Sequence, residues 1–123
     1  MERKEIKDRL REAMTIRGLR AVDLVERTGI PKGTLSYYLS GHTQPKADRL
    51  YLLAQALDIS EAWLLGYDVP MHRSVEQKKN DQLAKLIVKM RTDTDFYETV
   101  AALAGLSESK YQSVKQLLNA LNE

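Results

Sequence analysis

Lys32, Ser36 and Tyr37 fall within six residues of one another, in the run IPKGTLSYYLSG. If that run is helical with Leu35 and Tyr38 facing inward, one outer edge carries Lys32, Gly33, Ser36 and Tyr37, with Thr34 at its margin. These groups suit hydrogen bonding to a polar surface rather than bond making. An ammonium at the N-terminal end of a helix can donate to guanine O6 and N7. A serine hydroxyl can bond several base edges, and a glycine lets a thymine methyl or a backbone come close. Tyr37 suits a sugar or phosphate at the same edge. Phosphate partners are available on both sides: Arg20 and the amides from Ala21 onward before this run, and His42, Thr43, Gln44 and Lys46 after it. Arg17 can contribute on the flank, with an ion pair to a nearby carboxylate as its alternative. Phosphate contacts of this kind set register and affinity, whereas base-edge contacts set specificity. The bland alternative is a solvated polar face.

Such an edge is useful only if it stands out from its support. In AVDLVERTGIPKGTLSYYLSG, Val22, Leu24 and Val25 give a first short helix an apolar stripe, and Leu35, Tyr38 and Leu39 give the second one. Gly29 between them can take positive φ without steric cost, and Pro31 presets φ for a helix start. Two helices of about eight residues joined so tightly should cross steeply, as in a helix-turn-helix, whose second helix is offered to the major groove.

The neighbouring segments supply the support. Residues 2–17 predict a first helix: Ile6, Leu10, Ala13 and Met14 form one stripe, Glu2 and Glu5 lie near its start, and Arg17 and Gly18 lie at its end. Leu19 is expected to plug the core. After Gly41 the turn segment HTQPK leads to a fourth helix at about 47–57, carrying Leu50, Leu53, Ala54 and Leu57. Ser60 can cap a short fifth helix, EAWLLG, in which Trp63 and Leu64 close the core and Gly66 is the stop.

The run TGIPKGTLSYYLSGHTQP followed by ADRLYLLAQALDISEAWLLG resembles the Cro/repressor helix-turn-helix family of phage and bacterial regulators, the xenobiotic-response-element or lambda-repressor-like type. The likeness covers about Ile6 to Gly66 and rests on features occurring in order: the glycine turn, both apolar stripes, the SG-x-x-x-P loop and the WLLG ending. It implies a five-helix DNA-binding domain and a transcriptional regulator, most often a repressor, acting on a double-stranded operator. Two positions depart from the family pattern. Ala21 stands where members often carry a phosphate-bracing Gln, and Pro31 stands where a Ser usually caps the recognition helix. Gly33, two residues after Pro31, removes a side chain that could have read a base, so base readout is expected to be sparse.

The predicted architecture is all-α: residues 1–66 as the DNA-binding domain, 67–75 (YDVPMHRSV) as a linker broken by Pro70, and 76–123 as about three further helices. Leu83, Leu86, Ile87 and Met90 form the first stripe of this half. Asp95 to Glu98 has capping-box spacing before Phe96, Val100 and Leu103, with a stop at Gly105. Ser107 can cap a last helix bearing Tyr111, Val114, Leu117, Leu118 and Leu121. So short a segment has little core of its own. Leu83, Leu86, Ile87, Met90, Val114, Leu117, Leu118 and Leu121 are expected to oligomerise, because a pair of half-sites one turn apart calls for a two-fold dimer. Packing onto residues 1–66 is the alternative. A second reading takes residues 76–123 as a site for a different protein, as in an antitoxin or adaptor that binds DNA for autoregulation. On the repressor reading, with self-cleavage not expected, release from DNA would need an antirepressor protein, a ligand, proteolysis or loss of dimers.

Composition narrows the rest. The 123 residues include no cysteine, excluding disulfides, thiolate metal sites and cysteine nucleophiles. His42 and His72 lie in separate loops and no HExxH occurs, so neither metal nor cofactor is expected and no catalytic residue is assigned. The roughly 50 residues after the linker are too few for the mostly-β self-cleaving domain of larger repressors. The charged N-terminus MERKEIKDRLRE has no signal-peptide core and no apolar run would span a bilayer, so a soluble cytoplasmic protein is expected. Net charge is only +2, but residues 1–49 carry 11 Lys and Arg against 7 Asp and Glu. The positive excess thus lies with the segment expected to meet phosphate.

Overall fold

A computed structural model describes residues 3–123. All regular elements in it are helices: α1 (Ile6–Arg17), α2 (Ala21–Thr28), α3 (Lys32–Ser40), α4 (Ala47–Leu57), α5 (Glu61–Leu64), α6 (Val75–Thr92), α7 (Thr94–Ala104) and α8 (Glu108–Leu121). The chain divides into two compact units, Met1–Asp81 and Gln82–Glu123.

In the first unit each helix buries the side its sequence period marks. Ile6, Leu10 and Ala13 of α1 are buried, as are Leu24 of α2, Leu35 and Tyr38 of α3, and Leu50, Leu53, Ala54 and Leu57 of α4. Trp63 and Leu64 of α5 complete the core, and the Arg9 guanidinium lies 4.3 Å from the Trp63 ring. A fully enclosed leucine such as Leu10 or Leu53 contributes about 2 kcal/mol by leaving water. Val22 departs from expectation: it is half exposed, and the turn residue Ile30 fills the core instead. The reason is the short α2, which turns Leu24 and, in part, Ala21 and Val25 inward before Gly29 ends it at φ 73°.

α1 starts at Ile6 rather than residue 2, since Glu5 is extended at φ −80° and ψ 147°; Glu2 lies outside the described residues. Just before it, Lys4 N donates to Gly66 O at 3.2 Å. Gly66 is needed there, with φ 100° and only 2.0 Å between a would-be Cβ and Lys4 O. Ser60 caps α5 as expected, accepting from Trp63 N at 3.5 Å.

Residues 67–75 are not a free linker. Met71 O accepts from Ser60 N at 2.8 Å, Ile59 and His72 form an isolated antiparallel bridge, and Met71 packs against the core. Arg73 is only 4% exposed. The first unit therefore runs to Asp81, past the expected end at Gly66. α6 begins one residue early because Ser74 and Gln77 form a reciprocal cap: Ser74 N donates to Gln77 Oε1 at 2.7 Å and Gln77 N to Ser74 Oγ at 3.1 Å. That S-x-x-Q spacing was available in the sequence as a start signal.

In the second unit Asp93, not Asp95, caps α7, accepting from Phe96 N at 3.0 Å. Asp95 falls in the first turn, so the Asp95–Glu98 pair cannot close the expected capping box. Ser107 sits at the start of α8, but its side chain makes no cap hydrogen bond. No residue of α7 or α8 is buried. Leu83, Leu86, Ile87, Leu117, Leu118 and Leu121 are exposed, Leu121 by 72%; Met90 and Val114 are half-buried. Among the described residues no helix is long and apolar enough to cross a membrane.

Candidate nucleic-acid interface

The exposed polar edge is built by α3. Pro31 precedes it at φ −58° and ψ 144°, ending the turn and starting the helix at Lys32. Leu35 and Tyr38 anchor the inner side, packed among α1 and α2. This leaves Lys32, Gly33, Ser36 and Tyr37 exposed and Thr34 half-buried, the arrangement that helical spacing implies. A Cβ added at Gly33 would meet nothing within 4 Å. The edge at that point is open backbone.

The loop after α3 is held in place by the helix itself. Gly41 adopts φ 81°, and the N–H groups of His42 and Thr43 turn back to Tyr37 O at 3.0 and 3.4 Å. The His42 ring lies 4.9 Å from that of Tyr37, tilted by 39°. Thr34, Tyr37, Thr43, Gln44 and Lys46 line one open cleft of about 360 Å³, together with Tyr38, Asp48 and Arg49. His42, Thr43, Gln44 and Lys46 are all exposed.

Arg20 and Ala21 occupy the other flank, at the start of α2. The Arg20 side chain is 80% exposed, and its backbone N–H donates to Asp23 Oδ2 at 2.8 Å. That backbone bond, with the guanidinium 3.5 Å away, holds the Asp23 carboxyl below the usual aspartate range despite a smaller opposing effect of desolvation. A carboxylate thus already stands beside the positive end of α2. A phosphate arriving there would meet Arg20 and Asp23 together, so the grip expected from the Ala21 amides is weakened by a resident anion.

Arg17 is turned to another task. Its Nε donates to Leu57 O and its Nη2 to Asp58 O, both at 2.9 Å, closing the C-terminal end of α4. Neither the expected flanking phosphate contact nor the carboxylate pair describes that geometry. Two cations escaped the sequence reading. Arg49 lines the α3 cleft and reaches Tyr38 Oη at 3.4 Å. Lys7 lies so close to the loop that a Cβ on Gly41 would stand 2.8 Å from its Cδ. The spacing of Arg49 three residues after Lys46 was a usable signal; Lys7 had none, because only the packing of α1 on α3 carries it there.

α2, the turn at Gly29 and α3 thus form a helix-turn-helix with an open polar edge. Residues 10–64 match the family described as Helix-turn-helix. The fold is similar to the solution NMR structure of the DNA-binding domain of the P22 C2 repressor, residues 1–76, at 24% identity and a TM-score of 0.52, over 57% of this chain and 92% of that one. The chain is also similar to the crystal structure of a transcriptional regulator from Listeria innocua, at 20% identity and a TM-score of 0.48, over 98% of this chain and 94% of that one. No curated protein matches it.

Proposed function

We propose that this protein is a sequence-specific double-stranded DNA-binding transcriptional regulator, a repressor that binds a pseudo-palindromic operator as a dimer. One observation carries the reading: Lys32, Gly33, Ser36 and Tyr37 form an exposed polar edge on a helix whose other side is locked into the core. In the bound state Lys32 and Ser36 read base edges, Gly33 gives close approach, and Thr34 and Tyr37 lie at the margin against sugar or phosphate. Arg20, Ala21, His42, Thr43, Gln44 and Lys46 contact phosphates, joined by Arg49 and Lys7. Occluding a promoter needs affinity alone, so no catalytic group is called for.

The dimer is supported by the second unit. Its α7 and α8 bury no side chain of their own, while Leu83, Leu86, Ile87, Leu117, Leu118 and Leu121 are exposed and Met90 and Val114 are half-buried. A unit this short needs its apolar faces covered to be stable. A second copy supplies the two-fold that paired half-sites require. The same exposed faces favour one other reading, an antitoxin-like or adaptor protein whose C-terminal helices hold a different protein.

Selection of bound duplexes from a random pool, followed by weighing the complex, tests both. Inverted repeats carrying two chains are expected. A pool with no enriched sequence would overturn DNA reading, and a single unrepeated site bound by one chain would overturn the dimer.

A further inference from the structure

Between α5 and α6 the chain has no helix, yet it is strapped to the first unit by a buried ionic cluster. Arg73 Nε and Nη2 donate to the two oxygens of Asp81 at 2.9 and 2.8 Å, and Nη1 donates to Ile59 O at 2.9 Å and to the Glu61 carboxylate. The Tyr51 hydroxyl donates to Asp81 Oδ1 at 3.0 Å. Burial alone would lower the Arg73 pKa, but the carboxylates of Asp81 and Glu61 reverse that, so the guanidinium stays charged. Tyr51 and Glu61 belong to α4 and α5, and Asp81 to the second turn of α6. The cluster therefore ties the start of α6 to the domain that carries α3.

A paired charge cluster is a poor way to add stability, since apolar side chains of similar volume often do as well or better. Its bidentate geometry does fix direction. We propose that Arg73 is a positioning residue: by fastening residues 67–81 to the DNA-binding domain, it shortens the tether between the two recognition helices of the dimer and so restricts the half-site spacing the dimer accepts. This rests on the dimeric reading above. Met71 still holds the chain to the core, so loss of the cluster frees residues 72–74, about three residues with a root-mean-square reach of about 10 Å at 5–6 Å × √n. That is about three base pairs of duplex at about 3.4 Å each. With the cluster closed, those residues add no length to the tether.

The test uses the full chain, with Arg73→Met, Asp81→Asn and Tyr51→Phe as variants of decreasing severity. Each is checked for helix content by circular dichroism and for mass by sedimentation. Binding is then measured on the selected operator and on versions with one to four base pairs inserted between half-sites. Wild type is expected to lose about tenfold or more on a two-base-pair insertion. Arg73→Met, or Asp81→Asn should the first not fold, is expected to bind the whole series within about threefold, with single half-site affinity unchanged and Tyr51→Phe between the two. A folded, dimeric variant that keeps the wild-type spacing penalty overturns the proposal and leaves the dimer standing. Monomeric wild-type protein overturns the dimer, and this proposal with it.

Discussion

Gly33→Ala separates what α3 does for folding from what it does at its outer edge. Gly33 is the second residue of α3, is exposed, and has open space where a Cβ would stand. Its φ is not in the positive region that would strain an alanine. Replacement should therefore stabilise the helix by about 0.5–1 kcal/mol, through helix propensity and a less entropic unfolded chain. For a domain of this size that is a rise in Tm of about 2–8 °C. The same methyl group points to the space a base edge or backbone would occupy, so operator affinity should fall while Tm rises. Calorimetry and a fluorescence titration on the same preparation read the two quantities. Their opposite signs are diagnostic, because a merely structural glycine would move both together or neither. A more stable variant with undiminished affinity would refute the close approach at Gly33.

Lys32→Ala should cost about 1–3 kcal/mol of operator binding, a factor of about 5 to 150, and relax base preference at one position, as measured on single-base operator variants; an unchanged preference removes Lys32 from the base readers. Lys46→Ala should weaken binding to all duplexes alike and reduce the slope of log K against log salt by about 0.9, and an unaltered slope takes it off the phosphate list. Leu117 is 62% exposed, so Leu117→Asp should leave the helical spectrum intact while lowering sedimentation mass and operator affinity together; a mutant that stays dimeric places the interface elsewhere. The lowered pKa of Asp23 means that its stabilising effect on α2 is present above the unfolded value of about 3.9 and is lost as pH falls through the lower folded value. Between pH 5 and 3, thermal stability should therefore fall more steeply for wild type than for Asp23→Asn, and parallel profiles would contradict the assignment.

The helices of the first unit were written in local order. Period-3.6 burial at Leu10, Ala13, Leu50, Leu53, Ala54 and Leu57, glycines at 18, 29 and 41 with positive φ, and Pro31 at a helix start are nearest-neighbour effects that a one-dimensional reading can follow. The outer edge of α3 was legible for the same reason, since fixing Leu35 and Tyr38 inside places Lys32, Ser36 and Tyr37 outside. Contacts between segments far apart in the chain were not legible. Nothing near Arg17 announces that it closes the end of α4 forty residues later, and nothing near Lys7 announces its place beside Gly41. Residues 67–75 read as a linker because Pro70 and the lack of period exclude a helix, and a strap without regular structure leaves no periodic trace. Only the fold brings Tyr51, Glu61, Arg73 and Asp81 together, because a buried guanidinium must find its carboxylates in space, whatever their separation in sequence.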